Sequence, residues 1–172
     1  MPDRPRVLID EERIAARIAE MGKEIRAVYG NETLVCVGIL KGSFLFMADL
    51  IRQIDGPVQC AFLGVASYEG TESTGVVRIT HDTHLKLEGH HVLVVEDIVD
   101  SGLTLDYILR IFGQRRLKSL RVCALLDKPT HREIEVPVDF VGFEIPPEFV
   151  IGYGLDLDEY WRNLPYVGIY EG

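Results

Sequence analysis

An α/β fold with a mostly parallel central sheet is the architecture this sequence predicts, on three observations. The runs "TLVCVGIL" (33–40), "VQCAFLGV" (58–65), "VLVV" (92–95) and "LRVCALLDK" (120–128) are largely apolar, with little polar alternation, the mark of strands covered on both faces. Helical patterns fall between them, so strand and helix alternate along the chain. The 172 residues, 47% hydrophobic and 26% charged, suit one domain with a sizeable core.

The elements follow in order. Asp10 is placed to cap a helix whose first turn carries Glu11 and Glu12. Ile14, Ile18, Met21, Ile25 and Val28 form its apolar stripe, and Gly30 is its stop. After the 33–40 strand comes "KGS" and then "FLFMADLIRQI", a second helix pattern. The strand at 58–65 leads into "ASYEGTESTGVVRITHDTHLKLEGHH", polar and rich in Gly and Thr. A polar insertion of that length in a compact domain points to a mobile active-site flap, with "VVRIT" as one arm of a short hairpin. A helix from about Leu103 to Arg115, the strand at 120–128 and a last strand in "VDFVGFEI" complete the core.

Composition narrows the function. The net charge of −9 argues against a nucleic-acid groove, which needs clustered basic residues. A small anionic ligand stays compatible if metal ions or local basic groups offset the acids. No apolar run reaches the roughly 18 residues of a membrane span, and "MPDRPRVLID" lacks the layout of a signal peptide; a cytoplasmic protein is expected. Cys36, Cys60 and Cys123 each sit in an apolar strand run without metal-binding spacing, which predicts three buried, reduced thiols.

One stretch carries chemistry: "VLVVEDIVDSGLTL", Val92 to Leu105. Val92 to Val95 read as the strand, which puts Glu96 and Asp97 at its carboxyl end, where open parallel sheets bind ligands. Neighbouring strand residues point to opposite sides, so the two acids grip two sides of a ligand. Asp100, Ser101, Gly102 and Thr104 then open a helix whose free N–H groups suit a phosphate. Acids beside a phosphate cradle fit a ligand bearing both hydroxyls and phosphates, and three acids so close call for a cation.

This stretch resembles the phosphoribosyl-pyrophosphate (PRPP) motif of the type I phosphoribosyltransferases: a hydrophobic strand, two acids, two apolar residues, then Asp and Ser/Thr-Gly-x-Thr. "LKGS" resembles the family's pyrophosphate loop, and "ASYEGTESTGVVRI" its flexible loop with the Ser67–Tyr68 pair. "DKPTHR" and "EFVIGYGLDLDEYWRNLPYVG" are similar to the purine-binding segments of hypoxanthine-guanine phosphoribosyltransferases. The resemblance spans nearly the whole chain. It implies a single phosphoribosyltransferase domain over 1–172, with a parallel-sheet core and a small hood. The hood is expected from the N-terminal segment and about 140–172, and the flexible loop from about 66–84. It implies transfer of 5-phosphoribosyl from PRPP to N9 of hypoxanthine or guanine, with Mg²⁺ as cofactor and a homodimer or homotetramer as the assembly.

The resemblance also implies roles. Glu96 and Asp97 match the acids that hold the ribose hydroxyls, in part through Mg²⁺; Asp156 matches a second Mg²⁺ ligand beside the pyrophosphate. Asp100 matches the candidate base for the N7 proton, and Ser101, Gly102, Leu103 and Thr104 match the 5′-phosphate loop. Lys41 and Gly42 match the pyrophosphate loop, whose Leu40–Lys41 peptide is cis in some family members, and Arg162 matches a pyrophosphate-binding arginine. Lys128 matches the donor to the 6-oxo group, Phe149 the aromatic that stacks on the base, and Val150 a main-chain contact to its edge. Without the resemblance, Asp156 and Arg162 read as surface charges on a final helical turn. Three rivals remain beside this reading: transfer to adenine or uracil, an RNA-binding regulator that keeps the PRPP motif, and a receiver domain with paired acids.

Overall fold

The computed structural model describes residues 5–67 and 77–171; besides a 3-10 turn at Pro129–His131, these form nine strands and three α-helices. In chain order they are β1 (Arg6–Ile9), α1 (Glu11–Tyr29), β2 (Leu34–Leu40), α2 (Phe44–Ile51), β3 (Val58–Ser67) and β4 (Val77–His81), followed by β5 (His91–Val99), α3 (Leu103–Gly113), β6 (Ser119–Asp127), β7 (Phe140–Glu144), β8 (Val150–Ile151) and β9 (Val167–Ile169). The main sheet has the order β4-β3-β2-β5-β6-β7. Its neighbours pair in parallel, except that β4 returns antiparallel on β3. A second, three-stranded sheet of order β1-β9-β8 forms the hood.

Alternation along the buried strands divides the core into two layers. Cys36, Leu93, Val95, Cys123 and Leu125 face α1 and α2, in a cluster that continues into Val150, Val167 and Ile169 of the hood. Val37, Val92, Val94, Val122 and Ala124 face Leu105, Ile108 and Phe112 of α3. This is why those strands carry no polar side: both of their faces are covered.

Helix α1 starts as expected, with the Asp10 carboxylate accepting from Arg13 N at 2.8 Å, and stops at Gly30, φ 56°. Ile14, Ile18, Met21 and Ile25 are buried, but Val28 is 47% exposed. Tyr29 takes its place in the last turn, with its ring edge-on to His91 at 5.2 Å. Helices α2 and α3 end at Ile51 and Gly113, short of the spans that their apolar patterns suggest. Cys36 and Cys123 are buried as expected; Cys60 is exposed.

Two expected boundaries move. Residues 140–144 belong to the main sheet as β7, so the C-terminal part of the hood sheet begins later, with β8. Of the expected 66–84 loop, Ala66 and Ser67 end β3 and 77–81 form β4, which pairs with β3 from Ser67↔Val77 to Gly64↔His81.

Candidate active site

The site lies where the central strands part. β2 pairs with β5 from Leu34↔His91 only as far as Gly38↔Val95, and then stays with β3 through Leu40↔Gly64. β5 stays with β6 through Val99↔Asp127. From Glu96 onward β5 therefore has a partner on one side only. Helix α2, after β2, packs on one face and α3, after β5, on the other. This is the topological switch point of an open α/β sheet, where ligands bind at the carboxyl ends of the strands. Strand β5 is longer than its apolar run suggests: Glu96 and Asp97 lie inside it, and the pairing with β6 carries both acids outward.

The two acids do point apart. Glu96 lines a cavity of about 220 Å³ together with Asp100, Ser101, Gly102 and Thr104. Asp97 faces the turn after β2, where Gly42 packs on its carboxylate so closely that a methyl group there would collide with it. That turn is tight: Leu40–Lys41 is cis, and the buried Ser43 hydroxyl donates to Ile39 O at 2.6 Å. Gly154, φ 102°, lies in turn on the Gly42 carbonyl. Hood, turn and acid are thus stacked through two glycines. Burial drives the Asp97 carboxyl up to about 6. Burial, reinforced by Asp97, pushes Glu96 well above the usual carboxylate range.

The loop that opens α3 closes the cavity. Gly102, φ 87°, precedes α3, and its open side lies against Ile134 O, so its conformation and its space both demand glycine. Leu103 N donates to the Ser101 hydroxyl at 3.4 Å, and Thr104 lines the cavity at the start of α3.

Asp100 sits at the mouth. Lys128 Nζ donates to its Oδ2 at 3.0 Å, and His131 Nδ1 contacts Oδ1. Burial alone would raise the Asp100 carboxyl, but the bonds from Lys128 and His131 outweigh it and hold the group below its ordinary value. It is an ionised acceptor beside a buried ammonium.

Arg162 and Lys41 gather on the hood side. Arg162 Nη1 donates to Gly154 O at 2.7 Å, and its Nη2 pairs with Asp156 at 2.9 Å and Glu159 at 3.2 Å. Lys41 Nζ reaches Glu159 at 2.9 Å. Neither Asp156 nor Arg162 stands on a helical turn: the segment is held by single bridges, Gly152↔Leu155 and Leu157↔Tyr160. Val150 opens β8. Phe149, 52% exposed, sets its ring edge against Tyr170 at 6.3 Å. Ser67 is fixed through its strand backbone; Tyr68 lies outside the described residues.

Three participants were not legible in the sequence: His131, Glu159 and Arg132. All lie in the segments that carry the resemblance, yet each reads as a surface charge: Arg132 is buried by the fold, whereas His131 and Glu159 stay exposed and are brought to Asp100 and to Lys41 and Arg162. Among the described residues no three acids, histidines or cysteines converge closely enough to hold a metal ion unaided. A larger groove between α1, α2 and the hood, about 370 Å³ and edged by Asp49, Arg52 and Tyr153, contains none of the predicted residues.

Comparison with known proteins agrees with this geometry. Residues 8–158 match the phosphoribosyl transferase domain. The chain is 46% identical over 168 residues to the hypoxanthine-guanine phosphoribosyltransferase of Bacillus subtilis, covering 97% of this chain and 93% of that one. It is 51% identical over 166 residues to the hypoxanthine phosphoribosyltransferase of Haemophilus influenzae, covering 94% and 93%. A crystal structure of a hypoxanthine-guanine phosphoribosyltransferase from Bacillus anthracis superposes with a TM-score of 0.93 at 41% identity, over 98% of this chain and 99% of that one. The chain therefore belongs to the type I phosphoribosyltransferases, within their hypoxanthine-guanine branch.

Proposed function

We propose that this chain is a purine-salvage enzyme of the cytoplasm that transfers the 5-phosphoribosyl group of PRPP to N9 of hypoxanthine or guanine. The observation that carries the proposal is the Lys128–Asp100 pair at the mouth of the phosphate cavity. A 6-oxopurine with its proton on N7 presents a donor and, next to it, the acceptor O6. An ionised carboxylate and an ammonium 3.0 Å apart are the complement of that edge. A 6-amino purine would set a donor against Lys128, which has no acceptor to offer.

The reaction follows from these positions. Ser101, Gly102 and Thr104, with the first turn of α3, bind the 5′-phosphate. Glu96 and Asp97 accept from the ribose hydroxyls, while Lys41, Gly42 and Arg162 take the pyrophosphate. Phe149 covers the base and Val150 meets its edge. As N9 forms its bond to C1′, the bond from C1′ to the pyrophosphate oxygen breaks and the N7 proton passes to Asp100. The Asp100 carboxylate also stabilises positive charge on the sugar as that bond lengthens.

The acids fit a magnesium ion. Glu96 and Asp97 are costly to ionise in their buried positions, and Mg²⁺ is commonly held by one or two carboxylates plus substrate phosphates. Glu96 and Asp97 would hold it on the sugar side and Asp156 on the pyrophosphate side. When bound it neutralises the diphosphate leaving group. Self-association into a dimer or tetramer belongs to the same proposal, with sedimentation velocity as its check.

Product analysis with PRPP, Mg²⁺ and each of hypoxanthine, guanine, xanthine and adenine tests the function. IMP and GMP are the expected products. AMP as the main product would overturn the base assignment.

A further inference from the structure

The segment after β6 does more than deliver Lys128. Lys128 N donates to Val99 O at 3.0 Å, and Glu133 N and Ile134 N donate to Ser101 O at 2.9 and 3.1 Å. Between them Arg132 reaches in, its side chain only 7% exposed. Its Nη1 donates to Val99 O at 2.8 Å and also to Asp100 O, and its Nη2 pairs with Asp127 at the end of β6. The carbonyls of three successive residues, Val99, Asp100 and Ser101, are therefore all fastened from the same segment. A trans peptide sets N–H opposite to C=O. The N–H groups of Asp100, Ser101 and Gly102 then turn away from Arg132, to the side of the cavity that these residues line. A run of main-chain N–H groups facing one way is an anion nest.

We propose that Arg132 is the positioning residue of the phosphoribosyl loop, anchored by Asp127 and acting through the carbonyls of Val99 and Asp100. The inference rests on the phosphoribosyl transfer proposed above. Arg132 touches neither sugar nor base; it fixes the peptide planes that do, and with them the direction of the Asp100 side chain. The planar fork of arginine suits such fastening, because one arm spans two carbonyls while the other holds the acid. A lysine ammonium has no such fork.

Stability and function separate in a set of variants. Arg132→Met leaves Asp127 buried without its partner, so it should lower Tm as well as affinity. The double variant Asp127→Leu, Arg132→Met removes both charges and should recover most of the Tm while the loop stays unfastened. In the double variant the KM for PRPP is expected to rise roughly tenfold, with the KM for hypoxanthine, at saturating PRPP, changed less than about threefold. Arg132→Lys, which keeps the charge for Asp127, should keep the Tm and still show a raised KM for PRPP. Should Arg132→Met fail to fold, the double variant and Arg132→Lys carry the test. A double variant that is active with wild-type KM for PRPP overturns the inference. A wild-type protein inert with PRPP and hypoxanthine would instead overturn the function on which it rests.

Discussion

At the scale of single residues, the site works by setting carboxylates in opposite environments. Asp100 is held ionised by Lys128 and His131, whereas Glu96 and Asp97 resist ionisation through burial. Asp100→Asn keeps the shape and removes the acceptor, so kcat should fall by about 10²-fold or more; a near-normal rate in steady-state assays would remove the base from the mechanism. The raised pair predicts an unusual stability profile. A carboxyl whose folded pKa lies above its unfolded value binds more protons when folded, so its contribution to stability declines as pH rises. For Asp97 that decline spans from about 4, its unfolded value, to about 6. In chelator, scanning calorimetry should show an Asp97-dependent loss of Tm between about pH 4 and pH 6, and a smaller loss over that range in Asp97→Asn. Equal slopes in the two proteins would rule out Asp97 as the source.

At the scale of elements, the strands that build the site were legible because burial on both faces leaves an uninterrupted apolar run. β2, β5 and β6 showed themselves that way. The hood strands did not: β8 has two residues and β9 three, and pairing makes them strands where local pattern does not. The extent of β5 was hidden for a related reason. Glu96 interrupts the apolar run, yet its pairing with Ala124 of β6 keeps it extended. Phosphate loop, lysine and acids were legible as a motif. The contacts of His131, Glu159 and Arg132 were not, because each depends on residues brought together by the fold. The glycine stack makes its own prediction. A methyl group at Gly42 meets the Asp97 carboxylate on one side, while Gly154 leans on the Gly42 carbonyl. Gly42→Ala should cost about 1–3 kcal/mol of stability and raise the KM for PRPP, both measurable by denaturation and initial rates. Unchanged values would mean that the turn can move off Asp97 freely.

At the scale of the molecule, a chain of net charge −9 is matched to one of the more anionic small substrates in metabolism. Its local cations, Lys41 and Arg162, are already engaged by Glu159 and Asp156. On the proposed function, the missing positive charge arrives with the substrate as metal. Turnover should collapse in excess EDTA and return with added Mg²⁺; undiminished activity in chelator would sink that assignment. Among the described residues no helix is long and apolar enough to cross a membrane.

The parting of β2 from β5 has one more consequence. The residues assigned to the sugar phosphate, 96–104, form one unbroken stretch between the sheet and α3. Apart from Asp100, which meets N7, those assigned to the base are Lys128, Phe149 and Val150, and the segment that carries the last two joins the core through Ile145 N to Asp127 O at 2.9 Å. Handle and reader are thus separate parts of the chain except at Asp100, which the two share. Such a division lets the reader diverge toward other bases while the handle stays as it is, so that a change of substrate need not disturb the machinery that activates the sugar.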